Sequence, residues 1–306
     1  MMKNLIFKLF LIYVLIVPAF LNAGSQTVEE VNPQMPFELK AGKTIMTISV
    51  GGSRIISYKY DEKEILTQVP EHENFGSTLW TAPQNEWNWP PYDVLDNQEY
   101  QVEQADNLLK MTSSPDPKSG FQMIKTWKVT GRQNIEIEYW IKNISEKAKS
   151  VGAWDVTRVP CGGMAFFPDG GDGKVPESKL KVSLKQDGIN WISIDKTPIA
   201  NHQKLFSTAK EGWLAYIIDS ILFIKKFPDI QPENYSPQHG EVEIFINKDK
   251  NYLELENHGQ YQLLQPGESL SYKENWFLMP LPENVSVNPG NQELTNLVRL
   301  QIKSEE

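Results

Sequence analysis

The chain has one cysteine, Cys161, in 306 residues. No intramolecular disulfide can brace it, so stability must come from a packed core, and a chain of this length can bury a large one. Cys161 sits in RVPCGGMAFF with no histidine or acid beside it. That context excludes a local thiolate nucleophile and reads as a buried, inert side chain. Clusters of positive charge are also missing: 30 Lys and Arg face 39 Asp and Glu, a formal net charge of −9. An acidic chain without a basic patch excludes nucleic acid and anionic membrane surfaces as partners. There is no Gly-rich phosphate loop, no zinc-ligand cluster and no Gly-x-Ser-x-Gly elbow. The run from Asp169 to Gly173 has neither the spacing nor the closing Glu of a calcium loop and reads as a turn. No metal or other cofactor is expected.

Long apolar runs are absent too, with one exception at the N-terminus. Leu9–Leu21 is apolar, Lys3 and Lys8 precede it, and Leu21-Asn22-Ala23 places a small residue before Gly24. Residues 1–23 therefore read as a secretory signal, and the run is short for a membrane span of about 20 residues. The protein is expected to be exported, periplasmic or extracellular, and free of the membrane once the signal is cleaved. Residues 24–40 read as an N-terminal extension and 41–306 as a single domain.

Helical periodicity is nearly absent from that domain. Period-two runs bounded by turn residues fill it instead: Thr44–Val50 and Arg54–Tyr60 around Gly51-Gly52, then Gln98–Glu103 and Leu108–Thr112. Phe121–Val129, Asn134–Asn143 and Ser150–Val159 follow as longer runs. Lys181–Leu184, Asn190–Ile194, Gly212–Ile218, Ile221–Phe227, Val242–Ile246, Tyr252–Glu256 and Ser269–Leu278 continue the theme. Roughly fifteen short strands predict an all-β chain, a large antiparallel β-sandwich. One helix is expected, over Asn291–Ile302, where Leu294, Leu297, Val298 and Ile302 share a face.

The segment Asn74–Trp89, NFGSTLWTAPQNEWNW, holds three of the nine tryptophans, Trp80, Trp87 and Trp89. It has no clean period of 2 or 3.6 and reads as a loop lining a cleft. Indole faces stack on the C–H faces of sugars, and Asn74 and Gln84 supply groups that hydrogen-bond hydroxyls. Tryptophan also fills cores, so the same residues are compatible with a purely structural role.

Three fragments resemble the galactose mutarotase-like, or aldose 1-epimerase-like, β-supersandwich superfamily. They are GGSRIISYKYDEKEIL, NFGSTLW and YLELENHGQYQLLQPGESLSYKENWFL, spread over roughly residues 50–280. Within it, the nearest fit is to secreted bacterial proteins grouped as a domain of unknown function. The resemblance implies a supersandwich fold and, in its enzymes, acid–base exchange at a sugar's anomeric centre by a C-terminal Glu and a His. Glu256 of LELE matches the base and Glu254 is the second choice; two apart on a strand, they share a face. The chain departs from the pattern twice. GAWDVTRVPCGG puts Trp154, Asp155 and Arg158 where the His is expected, and Leu79-Trp80 stands where a Gly-Arg pair would hold the sugar. His239, in NYSPQHGEVEIF, is a candidate for the missing acid, and Asp155 for a second carboxylate across the cleft. Arg54, Arg158 and Lys225 are candidate substrate contacts. The favoured reading is a carbohydrate-binding protein without standard epimerase activity. A carbohydrate-active enzyme using Glu256 as base, and a structural envelope protein, remain as alternatives.

Overall fold

The computed structural model describes residues 35–68, 74–249 and 251–304. The signal read over 1–23 and most of the extension lie outside the described residues. Among the described residues two ten-stranded sheets carry the fold. The main path of the first runs Phe37–Ala41, Thr44–Ile48, Ile55–Tyr60, Ser77–Ala82, Lys149–Val159, Leu253–His258, Val242–Ile246 and Gln203–Ser207 in spatial order. The second runs Leu184–Gln186, Ile189–Ser193, Met164–Pro168, Trp213–Ile218, Ile221–Lys226, Ser269–Pro280, Asn134–Asn143, Phe121–Val129, Leu108–Thr112 and Gln101–Ala105. Neighbouring strands are antiparallel, as the short turns between runs predict. The first strand begins at Phe37, within the stretch 24–40.

The main core lies between the sheets and includes Ile48, Tyr58, Leu79, Ile141, Phe223 and Trp276. A second apolar layer covers the far side of the second sheet around Met164–Pro168, Ile189–Ser193, Trp213–Ile218 and Ile221–Lys226. There Phe166, Trp191, Trp213 and Phe277 meet Leu294, Val298 and Ile302 from the helix Gln292–Lys303. The spacing of four places those three on one face, and the Asn291 side chain caps the helix by accepting from the Glu293 N–H at 3.0 Å. That half of the second sheet is thus covered on both faces, whereas Phe121–Val129 and Asn134–Asn143 alternate between buried and part-exposed residues. The far side of the first sheet carries a small aromatic cluster of Trp80 and Trp154, packed with Ala82 and Val156 and with Trp87 beside it.

The structure differs from the sequence reading at the tryptophan segment. Ser77–Ala82 is a strand, not a loop, and every residue of it is buried. It pairs with Lys149–Val159 in the centre of the sheet, with core on one side and the aromatic cluster on the other. A strand buried on both faces loses its period of two, which is why pattern reading passed over it. Met164–Pro168 was passed over for the same reason, being buried throughout. Gln203–Ser207 is also a strand. In the Lys181–Leu184 region the strand is Leu184–Gln186.

Candidate functional site

Cross-strand register assembles the site on the outward face of the first sheet. In the central strand Trp154 stands opposite Trp80 on one side and His258 on the other. Val156 stands opposite Glu256, and Arg158 opposite Glu254. One strand further, Glu243 pairs with Glu256 and Phe245 with Glu254, and Lys204 pairs with Phe245. Because the side-chain period is two, all of these project to the same side.

A cleft of about 730 Å³ opens there. Trp80, Trp89 and Trp154 line one part of it, and Asn74, Gln84, Asn247, Lys204 and Glu254 bring polar groups to the same space. The indoles brace one another edge to face, Trp80–Trp154 with centroids 5.2 Å apart and Trp80–Trp89 5.7 Å apart. Trp80 is fixed further by its indole N–H, which donates to Asp96 Oδ1 at 2.8 Å. Trp89 is 50% exposed, an unusual position for so large an apolar ring.

Beneath the cleft lies a polar network. Lys204 Nζ sits 2.6 Å from Glu243 Oε2 and 2.8 Å from Glu256 Oε2. Glu256 Oε2 also accepts from Trp154 Nε1 at 2.7 Å. Burial pushes the Glu256 carboxyl up to about 8; Lys204 opposes this and the Glu243 carboxylate adds to it. Burial works to lower Lys204, but the two carboxylates outweigh it and raise the ammonium, which stays charged. Glu243 is held below the usual carboxylate range: burial would raise it, and Lys204 and the neighbouring histidines overcome that. Burial lowers His258 to about 4, so it is neutral at pH 7. Its ring stacks on Trp154 at a centroid distance of 5.5 Å.

His239, Glu243 and His258 bring three possible ligand atoms within 4.8 Å of one another. The donor set fits protons better than a metal. His239 Nε2 accepts the Gln84 backbone N–H at 3.3 Å, so its proton resides on Nδ1, which faces Glu243 Oε1 at 3.0 Å. Glu243 Oε1 also accepts the Gly240 N–H at 2.8 Å, and Lys204 occupies the other oxygen. A cation at this point would have to displace a proton and lie beside an ammonium.

The structure brings some of the expected residues together and separates others. Trp80, Trp89, Asn74, Gln84 and Glu254 line the cleft. Glu256 has no exposed surface and lies under it. His239 is also beneath, 6% exposed, with its ring centroid 4.9 Å from that of Trp154. Arg158 is fully buried, stacks 5.2 Å from the Trp80 ring and donates from Nε to Glu254 Oε1 at 2.9 Å. Trp87 lies behind the wall, donating to the Thr81 carbonyl at 2.8 Å. Arg54 lines a neighbouring cavity and pairs with Asp96 at 3.0 Å. Asp155 and Lys225 do not face the cleft at all. They meet in the core between the sheets, because Asp155 is one residue out of phase with Trp154 and Arg158. Lys204, Glu243 and His202, the last also lining the cleft, were missed. The alternation of Glu241 and Glu243 within EVEIFI was the available signal for one of them.

The comparisons agree with this architecture. Residues 81–279 match the family described as "Domain of unknown function (DUF4380)", and the chain belongs to that family. No curated protein matches the chain. Among solved structures, a galactose mutarotase related enzyme from Lactobacillus acidophilus matches with a TM-score of 0.58 at 12% identity, covering 82% of this chain and 100% of that one. A galactose mutarotase-like protein from Lactobacillus casei matches with a TM-score of 0.55 at 10% identity, covering 80% and 100%. Structural matches at such low identity show the galactose mutarotase-like β-sandwich fold alone, and function must be argued from this chain's own residues.

Proposed function

We propose that this is an exported carbohydrate-binding protein that seats a sugar in the cleft of about 730 Å³ and does not perform the standard mutarotase exchange. The observation that carries the reading is one cavity lined by Trp80, Trp89 and Trp154 together with Asn74, Gln84, Asn247 and Lys204. That pairing of flat apolar surface with hydrogen-bonding groups suits the two-sided chemistry of a pyranose. Against the exchange stands the state of the expected pair. Glu256 is enclosed and its Oε2 already holds Lys204 and Trp154, and both ring nitrogens of His239 are engaged. The deciding experiment is a fluorescence titration of the mature protein with mono- and oligosaccharides, including uronic acids. A saturable change that disappears in a folded Trp80→Ala variant supports the reading; no response to any sugar rejects it.

A catalytic reading is favoured by one observation: Glu254, not Glu256, is the carboxylate that lines the cleft. Turnover of any bound sugar, lost in Glu254→Gln with binding retained, would establish it. Export is part of the same proposal. Among the described residues no helix is long and apolar enough to cross a membrane, and the mass of protein recovered from the producing cell should place its first residue at Gly24.

A further inference from the structure

A second cavity of about 490 Å³ adjoins the first. Asn74 and Trp89 line both, so the two cavities flank the half-exposed Trp89 ring. The walls of the second cavity are as mixed as those of the first. Phe75 and Pro90 are apolar, and Arg54, Asp96 and Asn97 are polar. Asp96 ties the cavities together. It accepts from Arg54 Nη2 at 3.0 Å, from Thr78 Oγ1 at 2.8 Å and from the Trp80 indole at 2.8 Å. Arg54 is also held by the Phe75 carbonyl, 3.1 Å from Nη1. Fixing a cleft's polar groups in advance lowers the ordering cost of binding. Each cavity by itself is within the roughly 300–1,000 Å³ of a small-molecule site, so the pair has room for more than one ring.

The cations on and beneath these walls are each paired with a carboxylate. Arg54 pairs with Asp96 at 3.0 Å, Arg158 with Glu254 at 2.9 Å and Lys204 with Glu243 at 2.6 Å. An anionic sugar would have to compete with a carboxylate already in place for each of these cations, at a desolvation cost. A hydroxyl can share these groups without displacing either partner.

Resting on the sugar-binding reading above, we infer that the ligand is a neutral glycan chain of at least two sugar units, lying across Trp89 from the first cavity into the second. The probes are homologous neutral series of glucose, galactose, mannose and N-acetylglucosamine, from mono- to tetrasaccharide, with uronic acid oligomers alongside. Calorimetric titration of the whole mature protein should show affinity rising at least tenfold from the monosaccharide to the di- or trisaccharide of one neutral series. Two variants confined to the second cavity, Phe75→Ala and the space-filling Asn97→Trp, should remove that gain and leave monosaccharide affinity within about threefold of wild type. Circular dichroism and melting checks would keep misfolding apart from lost contacts. Equal affinity for one and several units overturns the inference and leaves the sugar-binding reading standing. So does a gain with length that survives in both variants when they are folded, or a preference for uronate oligomers. Silence toward every sugar rejects both.

Discussion

Lys225, from the second sheet, reaches across the core to the carboxylate of Asp155 in the first, and neither side chain has any exposed surface. Thr157 Oγ1 lies 2.9 Å from the same ammonium, and Tyr139 donates to Asp155 Oδ2 at 3.1 Å. The pair ties the two sheets together in one register. Breaking a buried pair leaves a lone charge in the interior, which costs about 3–5 kcal/mol. Lys225→Met should therefore lower unfolding free energy by about that amount in urea titrations, with sugar affinity per folded molecule unchanged. An additional Asp155→Asn change should recover part of the loss, since the second charge is then gone too.

Glu274 gives the core a dependence on pH. Burial pushes its carboxyl up to about 7, the Asp155 carboxylate adds to this and Lys225 opposes it. In the unfolded chain the group ionises near ~4.3. The stability it contributes is therefore fully present below that pH and is lost as pH rises toward 7, by at most about 1.4 kcal/mol per unit. His258 works in the other sense. Its depressed value makes the folded state the poorer proton binder between about 4 and the unfolded-state pKa. The comparison of wild type with Glu274→Gln isolates the carboxyl. The variant should gain on wild type as pH is raised from 4.5 to 7 and then hold a constant difference. Chemical denaturation at four or five pH values measures this, and parallel curves would contradict the assignment.

Lys204 holds Glu243 and Glu256 together under the cleft. Lys204→Met would leave two buried carboxyls without their cation, so both should take up protons at higher pH than before. A loss of about 3 kcal/mol or more is expected at pH 8, shrinking as pH falls and the carboxyls are neutralised. Differential scanning calorimetry at pH 5 and pH 8 would read the contrast.

Gly52 has φ of +61°, and a Cβ there would lie 1.8 Å from the Asp96 backbone carbonyl. The obstacle is backbone, so it cannot swing away as a side chain would. Gly52→Ala should cost more than about 1 kcal/mol from the left-handed conformation alone. It should also push back the chain that carries Asp96, the anchor of the Trp80 indole. A lower melting temperature together with a shifted tryptophan emission maximum is the expected result.

Leu294 provides a control remote from the cleft. It is fully buried between the C-terminal helix and the second sheet. Leu294→Ala should destabilise the fold by about 2–5 kcal/mol. Sugar affinity at a temperature where the variant is folded should be unaltered, as measured by calorimetric titration.

Elements with one wet face were legible in the sequence. The Thr44–Ile48 and Ile55–Tyr60 hairpin, the Phe121–Val129 and Asn134–Asn143 pair and the C-terminal helix all formed where alternation or a spacing of four placed them. Ser77–Ala82 and Met164–Pro168 were not, because burial on both faces leaves no period to read. The tryptophans of the cleft stood out by composition, whereas Lys204 and Glu243 looked like ordinary strand residues. A strand's period of two already decides that Trp154 and Arg158 share a face and that Asp155 lies on the other. Which of those faces meets solvent is not a local property. It was decided when the second sheet closed over the Asp155 side and the aromatic cluster gathered on the other, contacts made by residues 70 to 104 positions apart. The sequence by itself determined the strand content and which residues travel together; only long-range packing determined which of them became the floor of a cleft and which became core.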